Sequence, residues 1–273
     1  MKSVSGEEGN FEVKIVQYPR YVDPEKCIAC GLCAEKCPTK VDNEYDADLG
    51  KRKSIYVKYA QAVPLKYAID ATHCLFLTKG RCKVCEKLCP AKAINFEDKE
   101  KELTLQTGAI IVSPGCEVFD PKVYNIYGYQ RSPNIVTSLE FERMLSASGP
   151  YGGHLIRLSD KKEPKKIAWI QCVGSRDVHE GAKAYCSAVC CTYAIKEAVV
   201  AKEHSKEPLD TAIFYIDMRT YGKDFERYYN RAREEAGVRF IKSRITQILP
   251  VKETGDLLIR YTDETGRRVE ETF

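Results

Sequence analysis

Residues 10–22 alternate apolar and polar side chains in places, with Phe11, Val13 and Ile15 set against Glu12 and Lys14. This predicts a strand or one arm of a hairpin. Leu103-Thr104-Leu105 repeats the alternation and predicts a second pairing segment. Ala109-Ile110-Ile111-Val112 is continuously apolar and predicts a buried strand that runs into the turn Ser113-Pro114-Gly115-Cys116. Such a strand suits a nucleotide-binding α/β sheet. Residues 138–146 predict a helix capped by Thr137 or Ser138, with Glu140 in its first turn. From residue 165 the pattern alternates strand and helix. Strands are expected at 167–171, 211–217, 238–241, 257–261 and 268–273. Helices are expected at 184–205 and 223–236, the latter stopped by Gly237. This reads as a βαβαβ half-domain with a parallel sheet.

Residues 20–96 show no sustained period, and a different signal takes over there. Cys27-Ile-Ala-Cys30-Gly-Leu-Cys33-Ala-Glu-Lys-Cys37-Pro38 has the spacing C-x2-C-x2-C-x3-C-P, the bacterial ferredoxin run for a [4Fe–4S] cluster. A second run, Cys74, Cys82, Cys85, Cys89-Pro90, has the same form with its first gap stretched to seven residues. A cubane needs four thiolates at the corners of a small tetrahedron. Two-residue gaps let one tight loop supply three of them, and the fourth cysteine of each run ligates the other cluster. Cys27, Cys30, Cys33 and Cys89 are therefore assigned to one cluster, and Cys74, Cys82, Cys85 and Cys37 to the second. The competing reading is structural zinc held by four thiolates, which would make this a non-enzymatic, zinc-stapled interaction module. Between the runs lies a polar and aromatic insertion. Its Tyr45, Tyr56, Tyr59 and Tyr67 are expected to pack over the clusters and exclude water.

Composition narrows the setting. The chain is 44% hydrophobic and 30% charged over 273 residues, as in ordinary globular proteins. No run of 18 apolar residues exists, so no membrane span is expected. The start lacks an apolar signal region, and a cytoplasmic location is expected, where thiols serve metals rather than disulfides. A net charge of +4 is too small to argue for nucleic acid. Residues 20–96 carry fourteen Lys or Arg against nine Asp or Glu. That surplus reads first as a solvated surface, and second as a docking face for an acidic electron carrier.

Four further cysteines lie where the strand 167–171 meets the expected helix 184–205: Cys172, Cys186, Cys190 and Cys191. On that helix Cys186 and Cys190 would share a face at i, i+4. In a Rossmann unit this corner holds a Gly-rich phosphate loop. Here Cys172-Val173-Gly174-Ser175-Arg176-Asp177 contains no G-x-G-x-x-G. The positive helix end could hold a thiolate-ligated, negatively charged cluster instead. The residues alone leave two readings open, such a cluster or four buried structural cysteines.

Several stretches resemble the A-subunit family of heterodisulfide reductase. They are Pro19-Arg20-Tyr21-Val22-Asp23, Cys30-Gly31-Leu32-Cys33, Ala60-Gln61-Ala62-Val63-Pro64, 133–143, Ile170-Gln171-Cys172-Val173-Gly174-Ser175-Arg176-Asp177, Tyr185-Cys186 and Cys190-Cys191. The resemblance implies a flavin-based electron-transfer oxidoreductase, α/β, with a thioredoxin-reductase-like (Rossmann-type) core and an inserted two-cluster ferredoxin module. It implies that residues 1–19 and 97–164 belong to the flavoprotein core. Residues 20–96 would be the module, and 165–273 a Rossmann-like half-domain. It also implies that Cys172, Cys186, Cys190 and Cys191 hold a third [4Fe–4S] cluster near an FAD. The implied partners are other subunits of a heterodisulfide-reductase-like complex, with a ferredoxin or hydrogenase-type electron donor. Heterodisulfide reduction itself is expected on a partner subunit, because no dithiol pair remains once these twelve cysteines are assigned.

The sequence departs from the family in lacking the FAD-binding G-x-G-x-x-G unit, and Ser113-Pro114-Gly115 stands where related flavoproteins usually carry Ala-Thr-Gly. The expected reading is an internal segment or truncated homologue that binds FAD weakly by itself. Cys116 reads as a small apolar turn residue, His73 as a solvated histidine beside Cys74, and His154, His179 and His204 show no metal spacing. Asp217 falls at the ribose-binding position of a Rossmann fold, but without the Gly loop it carries little.

Overall fold

A computed structural model describes all residues, 1–273, and the chain divides into two compact units, Met1–Cys116 and Glu117–Phe273. In the first unit the elements run β1 (Ser3–Glu7), β2 (Asn10–Gln17), α1 (Leu32–Glu35), β3 (Lys40–Asp42), β4 (Lys51–Lys53), β5 (Ile55–Tyr56), β6 (Ala68–Ile69), α2 (Leu75–Lys79), α3 (Val84–Leu88) and β7 (Lys101–Thr107). Strands β1, β2 and β7 form an antiparallel sheet with β2 central, so segments on both sides of the cysteine-rich stretch pair with each other.

Inside that stretch the chain repeats itself. Asp23 and Asp70 each stand four residues before the first cysteine of a run. Each accepts the cysteine's amide on its backbone oxygen, Cys27 N to Asp23 O and Cys74 N to Asp70 O, both at 3.0 Å. Each also accepts the amide two residues on with its side chain. Both turns are Asx turns, which fix the entry to the cysteine loop. The insertion that reads as irregular in the sequence supplies two short hairpins, β3–β4 and β5–β6. Of its four tyrosines Tyr67 packs with the cysteines as expected; Tyr45 instead stacks on Tyr59 at 5.0 Å, and Arg52 lies 4.0 Å from the Tyr56 ring centroid. A small apolar cluster of Val22, Ile55, Ile69 and Ala93 packs with Cys27 and Cys74.

The apolar stretch Ala109–Val112 is not a strand, and Ile111 is 92% exposed. This corrects the sequence expectation. A run of four apolar residues becomes a strand only where a neighbouring strand takes its backbone hydrogen bonds, and no strand pairs with it here.

The second unit carries α4 (Ser138–Leu145), β8 (Lys166–Ile170), α5 (Cys190–His204), β9 (Asp210–Tyr215), α6 (Phe225–Glu234), β10 (Arg239–Lys242), β11 (Gln247–Pro250), β12 (Leu257–Thr262) and β13 (Arg268–Thr272). Helix α4 starts as its sequence predicts, with a full capping box between Thr137 and Glu140. Strands β8, β9 and β10 are parallel in the order β10-β9-β8, with α5 and α6 as crossovers. Beyond them β11, β12 and β13 form an antiparallel meander, so the alternation of strand and helix ends at β10. Phe214 is buried at the centre of the core, edge-on to Tyr261 and Phe273.

Helix α5 begins six residues later than the pattern predicts. Residues 184–189 are held in a loop because Lys183 bridges Ser175, and Arg176 N donates to Tyr185 O at 3.2 Å. Ala188, at φ 62°, is left-handed and cannot continue a helix. Cys186 is therefore not on a helix face with Cys190.

Between α5 and β8 a carboxyl is buried. Glu197 is 0% exposed and accepts the indole N–H of Trp169, the chain's one tryptophan, at 2.8 Å; its second oxygen has no partner. Burial pushes this carboxyl up to about 8, against the hydrogen bond from Trp169. The folded chain thus keeps a proton that the unfolded chain loses above a pH of about 4.3. Its contribution makes stability fall as pH rises from there to 8. Urea unfolding followed by Trp169 fluorescence should show this decline in the wild type between pH 5 and 8, and a flatter profile in Glu197→Gln. Parallel profiles for the two proteins would show that the carboxyl does not titrate in this window.

Candidate metal centre

The cysteine-rich stretch encloses two cavities. One is lined by Cys74, Cys82, Cys85 and, from the other run, Cys37. The second is lined by Cys27, Cys30, Cys33 and, again crossing over, Cys89. The structure brings together the same two sets of four that the run spacing groups. Helix α1 packs on α3, which sets the two cavities side by side.

Local backbone explains how each loop aims three sulfurs inward. In the first run Ala29 (φ 57°) and Gly31 (φ 85°) turn the chain through the left-handed region before Cys33 enters α1. In the second run Cys82 (φ 99°) and Lys83 (φ 91°) do the same before Cys85 enters α3. Lys83 thus takes the conformation that Gly31 has in the first run. It does so with its ammonium 4.5 Å from the Phe76 ring centroid. Cys27 and Cys74 are buried, Cys30 and Cys82 exposed, and the other four half-buried; all are free thiols.

The electrostatics are those of crowded thiols. Burial, with the neighbouring thiolates adding to it, pushes Cys33 up to about 11 and Cys85 up to about 12. Cys37 is the exception. Burial raises it, but its contacts with the Ser54 hydroxyl (3.3 Å) and nearby backbone groups outweigh burial and leave it below the ordinary thiol value. Cys89 Sγ accepts the Ala93 amide at 3.3 Å. Lysines close the loops from outside, Lys66 on Cys27 O at 2.7 Å and Lys53 on Cys37 O. Arg52 binds Glu44 and Asp70 together, and Asp70 also holds Thr72 and His73. Those bonds hold the Asp70 carboxyl well below its usual range in spite of burial. His73 is exposed, as expected, and is also a partner of Asp70. Asp23, Asp70, Ser54 and Lys66 position the loops, and sequence reasoning missed them. The repeated D-x3-C spacing was the available signal for the two aspartates.

The other four cysteines gather at the carboxyl ends of β8 and β9, the edge where open α/β sheets place their sites. Cys172 follows β8 with φ 60°, and Cys190 and Cys191 open α5. Gly174, between them in the chain, is needed there. A Cβ on it would stand 2.2 Å from the Phe119 ring. Cys172 and Cys191 are buried, Cys186 and Cys190 half-buried. Burial raises Cys172, and the charges of Cys190 and Cys186 add to it, so these three lie close together. Cys190 and Cys191 are adjacent and cannot both carry charge cheaply: their interaction favours the thiolate at Cys190, whose thiol is pulled below its ordinary value, and pushes Cys191 up. Ser187 and the Cys172 backbone also favour the Cys190 thiolate. Cys191 Sγ faces Asp217 O at 3.9 Å.

No three His, Cys, Asp or Glu side chains in the chain converge closely enough to share one ion. A cubane spreads its thiolates over four separate irons, whereas one zinc draws four sulfurs to about 2.3 Å from a single point. The residues set aside in the sequence take other roles. Cys116 is exposed, His179 and Arg244 bond Asp177, His204 bonds Gly153 O, and Asp217 pairs with Arg176 at 2.7 Å.

Residues 20–41 match the 4Fe-4S binding domain family, which covers the first cysteine run. The chain is 47% identical over 263 residues to the iron-sulfur A subunit of the CoB--CoM heterodisulfide reductase of Methanocaldococcus jannaschii. That match covers 96% of this chain and 39% of the relative. It is 46% identical to one of the corresponding A subunits of Methanopyrus kandleri, covering 99% of this chain and 40% of the relative. It is 38% identical to the A subunit of the ferredoxin/F(420)H(2)-dependent CoB-CoM heterodisulfide reductase of Methanosarcina acetivorans, covering 98% and 33%. The chain is thus similar along nearly its whole length to heterodisulfide reductase A subunits, and it spans about two fifths of the length of the first two relatives.

Gly31→Ala should loosen the first loop. Its Cβ meets only Tyr67 Oη at 3.4 Å, so the cost is backbone conformation, about 1–2 kcal/mol for an L-residue in the left-handed region. In the metal-free chain the Ala34 and Glu35 amides, which bond Gly31 O, should exchange with solvent roughly 5–30-fold faster. Unchanged exchange would show that the turn does not depend on glycine.

Proposed function

We propose that this chain is the electron-relay part of a heterodisulfide-reductase-A-like oxidoreductase, carrying three [4Fe–4S] clusters. The observation that carries the reading is the crossing of the cysteines. Cys37 lines a cavity with Cys74, Cys82 and Cys85, and Cys89 lines one with Cys27, Cys30 and Cys33. Identity of 38–47% to heterodisulfide reductase A subunits supports it. When bound, such a cluster takes up and gives back single electrons.

The chain's own residues do the rest. Apolar side chains such as Ile55, Ile69 and Phe96 limit water at one cavity, and Val22, Ile94 and Tyr67 do so at the other. The Asx turns at Asp23 and Asp70 orient the first thiolate of each run. The third set, Cys172, Cys186, Cys190 and Cys191, would hold its cluster on a Rossmann-type, thioredoxin-reductase-like core. The parallel β10-β9-β8 sheet with its helical crossovers supports that reading of residues 165–242. We further propose that the third site exchanges electrons with an FAD carried by this family, and that the chain works within a multisubunit complex. Ferredoxin is the favoured electron partner, since the names of several relatives include it. No helix is long and apolar enough to cross a membrane.

Anaerobic reconstitution followed by iron and sulfide analysis tests the proposal. About twelve irons per chain are expected, four for each four-cysteine site. Zinc in place of iron would return the first unit to the zinc-stapled reading. A value stable near eight (two four-iron clusters) would remove the third site. Electron paramagnetic resonance of the reduced variants separates the sets. Cys37→Ser should damage the cluster of Cys74, Cys82 and Cys85 rather than that of its own run. Cys190→Ser should remove the third signal alone. A Cys37→Ser chain that loses the cluster of Cys27, Cys30 and Cys33 instead would refute the crossing.

A further inference from the structure

We infer that Arg176 is a positioning residue of the third centre, its unpaired Nη1 donor directed to the Cys172 side of the cluster, where it favours the reduced form. The inference rests on the assignment of Cys172, Cys186, Cys190 and Cys191 as cluster ligands. Three observations carry it.

The guanidinium is held from one side only. Nη2 donates to Asp217 Oδ2 at 2.7 Å, while Nη1 is buried and has no hydrogen-bond partner. A buried N–H of a cation without an acceptor is costly, and such groups ask for an occupant the protein itself does not supply. Arg176 also belongs to the turn that Cys172 opens, with the Ser175 amide bonded to Cys172 O at 3.3 Å. Finally, the scaffold holds it there. Arg176 sits at φ 56°, with its amide bonded to Tyr185 O and the preceding Ser175 hydroxyl bonded to the same oxygen at 2.8 Å. Its anchor Asp217 belongs to the turn whose backbone oxygen faces Cys191. The fork and the thiolates are thus carried by the same three pieces of chain: the end of β8, the start of α5 and the end of β9.

The nearest alternative is a surface ion pair with no further role. The exposed Asp217 carboxyl, which also has Arg219 within 3.9 Å, fits that reading. The orphaned Nη1 does not fit, because an ion pair at the surface leaves spare donors to water. A thiolate-ligated cluster is anionic and gains one more negative charge when it accepts an electron. A cation and an N–H donor at its sulfur lower the energy of the reduced form and raise the potential. Arginine suits this because its planar fork can hold Asp217 with one nitrogen and a sulfur with the other.

The test uses the 273-residue chain, reconstituted anaerobically, in wild type, Arg176→Met and Arg176→Lys. Each is titrated with dithionite and followed by electron paramagnetic resonance; the third centre is the signal absent from Cys190→Ser. Iron content should be equal in all three proteins. The third centre should titrate at a more negative potential in Arg176→Met and at an intermediate one in Arg176→Lys, while the two clusters of the first unit keep theirs. If Arg176→Met does not load its third cluster, Arg176→Lys decides, since it keeps the charge and loses the fork. A third centre with the same potential in wild type and variants overturns the role of Arg176 and leaves the site standing. A wild-type chain that holds only about eight irons (two four-iron clusters) overturns the site, and the inference with it.

Discussion

Cys37 leaves the run that begins at Cys27 and lines the cavity of the other run, and Cys89 makes the reverse journey. That exchange is the constraint on the first unit. Each half-module can fill three corners of a tetrahedron from one tight loop, and the fourth corner is out of its reach. The helices that follow each loop are only four and five residues long, enough to carry one cysteine across and no more. The apolar cluster behind them is small, and two of its buried members are cysteines. A core of this size contributes little by itself.

The hairpins between the runs acquire a purpose in this light. Ser54, between β4 and β5, faces the Cys37 sulfur, and Lys53 holds the Cys37 carbonyl. Arg52, one residue earlier, ties the β3–β4 hairpin to Asp70, which caps the approach to Cys74. Three consecutive residues therefore connect the cysteine that crosses out of one run to the turn that opens the other. A minimal ferredoxin-like spacing without this insertion would leave Cys37 without its hydroxyl partner.

What the sequence made legible follows from how local each signal is. The cysteine grouping depends on gaps of two and three residues, and short gaps translate directly into geometry. The capping box at Thr137 and Glu140 is equally local, and so is the stop at Gly237. Strands β8 and β9 were readable because continuous apolar runs are buried on both faces. Strand β1, Ser-Val-Ser-Gly-Glu, was not, because it is exposed throughout and pairs only through its backbone with β2. The hairpins β3–β4 and β5–β6 were hidden for the same reason: strands of two or three residues have no period to detect. Ala109–Val112 misled because composition cannot say whether a partner strand is present. Residues 184–189 misled because Ala, Tyr, Cys and Ser are compatible with a helix, while the loop at 172–183, distant in period but adjacent in space, takes their hydrogen bonds first.

The late start of α5 also changes what its end can do. Had the helix begun at 184, Cys190 would lie two turns inside it, its amide engaged and its sulfur on a lateral face. Starting at Cys190, the helix instead presents its first two residues, both cysteines, at the end where amides are unsatisfied and the dipole is positive. Cys190 is pulled below the ordinary thiol value by Cys191, Ser187 and backbone donors, while Cys191 beside it, like Cys33 and Cys85 in the first unit, is pushed above it. One kind of ligand thus meets two kinds of surroundings in one chain. Thiolates held among other thiolates resist further negative charge. A thiolate with hydroxyl and backbone donors around it, as at Cys190, accepts it more readily, and hydrogen bonds to the sulfurs are among the factors that set the potential of an iron–sulfur centre.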